Sequence, residues 1–185
     1  ILAEAEIEEE IPQDFAIYDL VQFLNGVTLH DNPSIEFTNQ SNLTIREGKD
    51  RKTKYFFADP SVIVSPPEKS ITLPTEDVCF RLDSTQLQSL LKASAVYQLP
   101  DLVAVGEAGV VKLVVRDKKN DTSNEYSITV GETNLEFAFN FKVENIKILP
   151  GTYEVVISEK LLARFVSTNV NLTYYIALEP DSTFG

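Results

Sequence analysis

The sequence repeats one pattern of secondary structure, and this repeat limits the possible folds more than any other feature. Alternating apolar residues predict a strand at 77–82, and apolar residues spaced by three and four predict a helix at 84–97. Strand patterns follow near 102–106, 110–116 and 124–131. The order of this unit is therefore β-α-β-β-β.

The last part of the chain contains a second copy of this pattern. Its predicted elements are a strand at 135–141, a short helix at 142–148 and strands near 152–158, 162–167 and 172–179. The order of elements is the same as in the preceding unit. We therefore predict two copies of one structural unit that follow each other in the sequence.

An earlier copy precedes these two. Its predicted elements are a strand at 14–17, a helix at 18–26 and strands at 34–38, 43–47 and 52–59. Residues 1–9 have the pattern of one further strand, and the chain starts within it without a methionine. We therefore expect a fragment that carries three units and the last strand of a fourth.

Prolines mark a boundary between the first complete unit and the second. Residues 60–75 contain four of them, at positions 60, 66, 67 and 74. Proline lacks a backbone donor and favours extended backbone, so this segment is predicted to be a stiff linker. The predicted organisation is a remnant of an N-terminal domain at 1–59, a linker at 60–75 and a C-terminal domain at 76–185.

Each predicted helix has an apolar face and a polar face. The residues predicted to point inward are Leu87, Leu90, Leu91 and Ala95 in the helix at 84–97, Leu20, Val21 and Leu24 in the helix at 18–26, and Val143 and Ile146 in the helix at 142–148. The residues predicted to face solvent are Thr85, Gln88, Ser89 and Lys92, then Asp19, Gln22 and Asn25, then Lys142, Asn145 and Lys147. None of these outer faces is strongly acidic.

The residues give little support to an enzyme. Catalysis by acid–base or nucleophilic chemistry needs a reactive group beside an orienting partner, and no such set stands out. The single histidine, His30, is predicted to be exposed in a loop, and the single cysteine, Cys79, to be a small buried residue. Ser89 and Lys92 have the S-x-x-K spacing of penicillin-binding hydrolases, but no K-T-G follows, so we treat the match as chance. We predict a protein that is not an enzyme and needs no metal or cofactor.

The charge of the chain is a second constraint. A formal net charge of −12 argues against simple adhesion to the phosphate backbone of DNA. No stretch approaches the roughly 20 apolar residues of a membrane span, so we predict a soluble, intracellular protein without a membrane partner. Strand content and acidity also allow a structural β-rich protein of a virion or surface. Short helices at regular intervals argue against that alternative.

Several segments resemble one family. Residues 139–155, FNFKVENIKILPGTYEV, and 174–184, YYIALEPDSTF, closely resemble the sliding clamps of T-even-type bacteriophages. Shorter matches are AIYDL at 16–20 and LQSLLKAS at 87–94. This family is similar to the proliferating cell nuclear antigen of eukaryotes. The resemblance implies an α+β DNA clamp fold, in which repeated β-α-β-β-β units place antiparallel sheets outside and short helices around a ring.

The resemblance also implies a function in DNA replication. A clamp of this family is a DNA polymerase processivity factor whose three identical subunits close around duplex DNA. A clamp loader driven by ATP places the ring on DNA, and the ring tethers the replicative polymerase in the cytoplasm of the infected bacterial host. Encirclement retains DNA topologically, so an acidic protein suits this role, because tight phosphate contacts would impede sliding.

Three sets of functional residues are implied in the same way. The DNA-facing set is Gln22, Asn25, Gln88, Lys92, Lys142 and Lys147. The set that forms a pocket for partner peptides is Ile63, Val64 and Pro66 with Ala177, Leu178 and Pro180. The subunit-interface set is Tyr55, Phe56 and Phe57 on one edge strand with Tyr126 and Ile128 on another. Solvated helix faces, core packing and ordinary strands are the respective alternatives.

Overall fold

The computed structural model describes residues 1–64 and 71–185. The chain divides into two compact units, a larger unit of Ile1–Ile7 with Ile71–Gly185 and a smaller unit of Glu8–Ser70. Residues 1–7 were predicted to belong to an N-terminal domain, and this assignment is wrong. The first strand, β1 (Leu2–Ala5), is hydrogen-bonded to a strand near the C-terminus and therefore belongs to the larger unit.

The smaller unit contains one helix and a three-stranded antiparallel sheet. Its elements are α1 (Leu20–Val27), β2 (Ser34–Asn39), β3 (Asn42–Glu47) and β4 (Arg51–Phe56), and the strand order is β2-β3-β4. The strand predicted at 14–17 does not form. Its residues run as irregular chain, in which the carbonyl of Ala16 accepts one hydrogen bond from the backbone N–H of Ala58 at 2.9 Å.

Aromatic side chains build the core of the smaller unit. Leu43 and Ile45 are fully buried on β3 because alternate residues of a strand share one face. The ring of Phe23 lies 5.0 Å from that of Tyr55, and further aromatic rings surround Phe15. Such tilted and edge-to-face contacts are favourable for aromatic pairs.

Helix α1 contacts this core in a way that the sequence did not predict. Leu20, Val21 and Leu24 were predicted to point inward, but they are 57%, 68% and 51% exposed. Phe23 is the buried residue of the helix. A helix of eight residues on a small sheet touches it along a narrow line, and here Phe23 occupies that line. Val27 packs against the same core at the end of the helix, whereas Leu20, Val21 and Leu24 face outward.

The larger unit contains the two later copies of the repeat. Its remaining elements are β5 (Val78–Leu82), α2 (Ser84–Tyr97), β6 (Asp101–Glu107), β7 (Val110–Arg116), β8 (Tyr126–Glu132), β9 (Phe137–Lys142), β10 (Tyr153–Ser158), β11 (Leu162–Ser167), β12 (Leu172–Ala177) and β13 (Thr183–Phe184). Two five-stranded antiparallel sheets result, with the orders β1-β12-β11-β10-β5 and β13-β9-β6-β7-β8.

The two copies exchange their first strands. β5 opens the first copy but pairs with β10 of the second, so that Leu82 lies opposite Tyr153. β9 opens the second copy but pairs with β6 of the first, so that Phe141 lies opposite Leu102. Each sheet therefore depends on both copies, and they fold as one interlocked unit around a shared core.

The third predicted helix, at 142–148, is wrong. The chain forms only a short 3₁₀ turn at Val143–Asn145. Ile146 and Ile148 are both buried, and this spacing of two belongs to extended chain rather than to a helix. Lys142 ends β9 instead of beginning a helix, so its predicted position on a polar helix face is wrong as well.

The single histidine and the single cysteine also differ from prediction. His30 is buried, and its Nε2 lies 3.0 Å from the hydroxyl of Thr53 on β4. Cys79 is exposed, because Val78, Phe80 and Leu82 take the inward positions of β5. Within residues 1–64 and 71–185, no helix is long and apolar enough to cross a membrane.

Candidate DNA-facing and partner-binding surfaces

Helix α2 is held at both ends by local hydrogen bonds. The Asp83 carboxylate accepts the backbone N–H of Gln86 at 2.8 Å, and the Gln86 side chain accepts the N–H of Asp83 at 3.0 Å. This reciprocal arrangement satisfies two N–H groups that the first turn of a helix leaves free. Gln98 ends the helix in the left-handed conformation, at φ 54°. The helix therefore spans the predicted residues, 84–97.

The outer face of α2 is polar, as predicted. Thr85, Gln88 and Lys92 are exposed, whereas Leu87 and Leu90 are buried beneath them. Among the residues that the structure describes, Lys92 takes part in no ion pair. The face thus offers a free ammonium group beside neutral hydrogen-bonding groups.

The hydrolase alternative receives no support from this helix. Ser89 is half-buried and Lys92 extends into solvent, and no hydrogen bond joins them in the described part of the chain. A lysine base would have to approach the serine hydroxyl directly. Within the same described residues, no three His, Cys, Asp or Glu side chains are placed to hold a metal ion.

Helix α1 presents the two polar residues predicted for it. Asp19 caps the helix, because its carboxylate accepts a hydrogen bond from the backbone N–H of Gln22 at 2.9 Å. The Gln22 side chain is exposed. Asn25, one turn further on, is exposed as well. Both amides can donate and accept hydrogen bonds without carrying charge.

Lys142, which ends β9, and Lys147, which follows this strand, have different environments. The Nζ of Lys142 lies 2.5 Å from Oδ1 of Asp101, whose carboxylate is almost completely buried. The hydrogen bond to Asp101 is the main cause that raises the pKa of Lys142. Its charge is therefore neutralised within the protein. Lys147 is exposed and has no such partner among the described residues.

The residues predicted for a partner pocket lie partly in the smaller unit. Ile63 lines a cleft of about 570 Å³, whose other lining residues are Ile11, Gln13, Asp14, Phe15, Ala16 and Pro60. Val64 is 96% exposed. Pro66 lies outside the described residues. The smaller unit thus places one of these side chains in a partly apolar cleft and one in solvent.

The remaining pocket residues follow β12 in the larger unit. Ala177 and Pro180 are exposed, whereas Leu178 is buried in the core of the unit. The backbone N–H of Leu178 donates to the carbonyl of Leu161 at 3.0 Å. Leu178 therefore fixes the path of the tail, and its neighbours supply the accessible surface.

Sequence reasoning missed the contacts that hold this tail. Lys118 donates to the carboxylate of Asp181 at 2.6 Å, and this bond is the main cause that lowers the pKa of Asp181. Asn140 donates through its side chain to the Asp181 carbonyl at 3.1 Å. Ser182 accepts the Asn140 backbone N–H at 2.9 Å. No local pattern in the sequence connects residues this far apart.

Both predicted interface strands lie at sheet edges. β4 ends the sheet of the smaller unit, and β8 ends one sheet of the larger unit. Tyr55 and Phe57 point toward the core of the smaller unit, whereas Phe56 is 61% exposed. Tyr126 and Ile128 pack against the core of the larger unit. Each of the two strands therefore packs its inward side chains against the core of its own unit. Along one side of each strand, no neighbouring strand of the same sheet pairs with the backbone.

Two family sequence models match the chain, one described as "gp45 sliding clamp, C terminal" over residues 79–180 and one as "DNA polymerase processivity factor" over residues 1–65. The chain belongs to the gp45 sliding clamp family. The prediction of a sliding clamp that acts as a DNA polymerase processivity factor is thereby confirmed. Such clamps are accessory proteins rather than enzymes, and nothing favours the virion alternative.

Sliding clamps of three bacteriophages are similar in sequence over most of their length. The chain is 35% identical to the clamp of Escherichia phage RB69, over 98% of this chain and 82% of the relative. It is 33% identical to the clamp of Vibrio phage KVP40, over 96% of this chain and 82% of the relative. The clamp of Enterobacteria phage T4 is 32% identical to this chain, over 98% of this chain and 82% of the relative.

More distant clamps share the fold. A DnaN sliding clamp of Pseudomonas aeruginosa superposes with a TM-score of 0.57 at 13% identity, over 80% of this chain. The chain spans only 41% of that protein. A chain of the PCNA2–PCNA3 complex of Sulfolobus tokodaii superposes with a TM-score of 0.58 at 13% identity. The match covers 86% of this chain and 71% of the Sulfolobus chain. The predicted clamp fold is confirmed.

Proposed function

We propose that three copies of this chain close into a ring around duplex DNA and tether the replicative polymerase to it. The observation that carries the proposal is the position of β4 and β8 at sheet edges in a member of the sliding clamp family. Two different edges that pair head to tail generate a closed ring when the rotation between copies closes. A clamp loader would open and place this ring, which needs no cofactor of its own.

The proposed contacts with DNA are few and weak. Their residues are Gln22, Asn25, Gln88, Lys92 and Lys147. Lys142 is omitted, because Asp101 neutralises its ammonium group. Amides and single ammonium groups can exchange one phosphate for the next at little cost, whereas a dense basic surface would hold the ring in place. Retention would then come from encirclement rather than from affinity.

A topological assay tests this mechanism. The chain is loaded on nicked circular DNA by a T-even-type clamp loader with ATP, and the complex is separated from free protein by gel filtration. We expect the protein to stay with circular DNA and to leave after a restriction enzyme linearises it. Equal retention on circular and linear DNA would show ordinary binding and would contradict encirclement.

A charge reversal on α2 tests the DNA-facing surface. Lys92→Glu should shorten the products of primer extension with a T-even-type polymerase, because it places a carboxylate where the ring meets phosphate. Lys119→Glu makes the same change of charge at an exposed turn residue and serves as the matched control. Equal product lengths for both variants would remove Lys92 from the DNA-facing surface.

The proposed partner site is a surface for short hydrophobic tails of polymerase and clamp loader. In the smaller unit the candidate residues are Ile63 and Val64, while Pro66 lies outside the described residues; in the larger unit they are Ala177 and Pro180, and Leu178 is left out because it is buried in the core. Val64→Asp should weaken binding of a fluorescent polymerase tail peptide, because Val64 exposes almost its whole side chain. Val62→Asp, at a residue that is also exposed, is the control. Equal peptide affinity for both variants would exclude Val64 from the site.

A further inference from the structure

The central strand of one sheet carries an arginine on its outward face. β11 lies in the middle of the sheet β1-β12-β11-β10-β5. Arg164 points away from the core, because its neighbours Ala163 and Phe165 are buried in it. Directly across from Arg164 lie Val156 on β10 and Tyr175 on β12. The guanidinium group therefore sits in a row with an aliphatic and an aromatic side chain.

The hydrogen-bonding capacity of this guanidinium group is largely unused. Its Nη2 donates to Oε1 of Glu76 at 2.7 Å. Its Nε is buried and has no hydrogen-bond partner among the described residues. A guanidinium group has five N–H donors, and a buried donor without an acceptor is unfavourable. An arginine at this position therefore points to a ligand that supplies a further acceptor.

The bond to Glu76 is one that a ligand can replace. The side chain of Glu76 is 58% exposed and that of Arg164 is 30% exposed, and ion pairs in such surroundings contribute little to stability. Glu76 also uses a single donor atom of the arginine. A carboxylate that lies in the plane of the guanidinium group accepts two N–H bonds at once, which is a stronger and more specific arrangement.

Arg164 lies on the same face as part of the candidate partner surface. Leu162 precedes it by two residues on β11 and is paired with Ala177, which follows Tyr175 by two residues on β12. Residues two apart on a strand share a face, and diagonal neighbours on adjacent strands lie about 7–8 Å apart. Ala177 is exposed and Leu162 is half-buried. The larger unit therefore places a cation beside a small apolar surface.

We propose that Arg164 binds the C-terminal carboxylate of a hydrophobic partner tail and releases Glu76 when it does so. The last residue of such a tail joins an apolar side chain to a carboxylate, and this combination matches an arginine next to Leu162 and Ala177. The apolar side chain packs on these two residues, and the carboxylate accepts from the guanidinium group. The inference rests on the proposed partner surface and names the chemical group that this surface recognises.

A pair of peptides tests the inference on the unchanged protein. A fluorescent peptide copies the C-terminal tail of a T-even-type polymerase, once with a free terminal carboxylate and once with a terminal amide. Fluorescence anisotropy measures the affinity of each peptide for the wild type. We expect the amide to bind roughly tenfold to a hundredfold more weakly, because it loses a charge-assisted bond. Both measurements use the same protein, so a folding defect cannot produce the difference.

Three variants assign the preference to Arg164. Arg164→Gln should bind both peptides equally and as weakly as the wild type binds the amide. Arg81→Gln is the matched control, because Arg81 lies on the outward face of the same sheet and pairs with Glu154 at 3.8 Å. It should keep the wild-type preference for the carboxylate. Glu76→Gln removes the competing carboxylate and should bind the free-carboxylate peptide more tightly than the wild type does.

The outcomes separate this inference from the proposed function. Equal affinity of the wild type for both peptides, or an undiminished preference in Arg164→Gln, would overturn the inference and leave the partner surface intact. Weaker binding of the free-carboxylate peptide to Glu76→Gln would overturn the release of Glu76. Absence of binding of either peptide to the wild type would overturn the partner surface and the inference together. Circular dichroism checks that each variant is folded, and the peptide pair on the wild type decides the question if Arg164→Gln is not.

Discussion

The ion pair of Asp101 and Lys142 allows a quantitative test of the larger unit. Lys142→Met removes the ammonium group but keeps an unbranched side chain of similar length. The Asp101 side chain is 2% exposed, and among the described residues its carboxylate would then keep one donor, the backbone N–H of Lys118 at 3.1 Å. A buried carboxylate with so few donors is strongly unfavourable. The substitution should therefore destabilise the fold.

The expected loss of free energy of unfolding is about 3 kcal/mol. Removing one partner of a buried ion pair costs roughly 3–5 kcal/mol, because it leaves the other charge without compensation. The lower end applies here, since the Lys142 side chain is 25% exposed and already partly solvated. In a chain of this size the loss corresponds to a melting temperature about 6–12 °C lower.

Urea denaturation followed by far-UV circular dichroism measures this loss, with thermal melting as a second readout. Asp101→Asn together with Lys142→Met removes both charges and keeps an acceptor for Lys118. The double variant should be more stable than Lys142→Met alone. Lys160→Met is the control, because Lys160 pairs with Glu159 at the surface, where ion pairs contribute little. Its midpoint should equal that of the wild type.

Alkaline pH provides an independent measurement of the same pair. Asp101 raises the pKa of Lys142 above its ordinary value of 10.5, so its stabilisation is present below that pH and is lost as the pH rises through the raised pKa. Burial also raises the pKa of Tyr153, which adds a loss in the same range. The difference between wild type and Lys142→Met should therefore shrink above pH 10.5. A loss below about 0.5 kcal/mol in urea, or a constant difference at alkaline pH, would refute the reasoning.

Three further substitutions test other parts of the larger unit. Asp83→Ala removes the cap of α2 and should lower the free energy of unfolding by about 1 kcal/mol, as urea denaturation will measure. Gly106→Ala would place a Cβ 2.3 Å from a ring carbon of Phe137 and 2.7 Å from the backbone carbonyl oxygen of Leu135, so thermal melting should show a loss of about 1–3 kcal/mol; an unchanged midpoint would contradict this close packing. The hydrogen bond from Thr75 is the main cause that lowers the pKa of Asp77 below its ordinary value of 3.8. The Asp77 carboxylate therefore stabilises the fold above pH 3.8, and this stabilisation is lost as the pH falls through the lowered pKa. Thr75→Val should lower stability at neutral pH and reduce the loss in acid, which circular dichroism against pH will show.

Local signals predicted most of the elements well. The bounds of α2 agree with prediction because a capping box and a run of spaced leucines lie next to each other in the sequence. β7 and β11 also have their predicted bounds, since β7 is a run of β-branched and apolar residues and β11 alternates between buried and less buried residues over most of its length. Such signals need no knowledge of the rest of the fold.

The helix faces show where local signals fail. In α1, Leu20, Val21 and Leu24 have the spacing of an inward face, yet Phe23 is the residue that the sheet buries. A pattern indicates that apolar residues lie on one side, but the size of the surface opposite decides which of them are covered. The prediction of a helix at 142–148 fails for a similar reason, because Lys142 belongs to β9, which pairs with β6.

Long-range pairs were beyond any local pattern. Asp101 and Lys142 are 41 residues apart, and Lys118 and Asp181 are 63 apart. Asp101 and Lys142 meet because β9 pairs with β6, and Lys118 and Asp181 lie beside strands of that same sheet; periodicity within a strand does not reveal which strand will be its neighbour. The candidate surfaces were accessible to sequence reasoning only where they lie on one helix or one strand, as Gln88 and Lys92 do.

Charge and topology together explain why an acidic chain suits DNA. In the proposed ring, the lifetime on DNA would depend on how long the ring stays closed more than on contacts with phosphate. Lys142 illustrates this, because the protein uses its charge to hold Asp101 rather than to face a ligand. Lys52 and Lys54, by contrast, are exposed on the outward face of the edge strand β4. In a chain with a net charge of −12, the few exposed ammonium groups proposed to face DNA, those of Lys92 and Lys147, would then give weak contacts, and retention of loaded rings should depend little on salt.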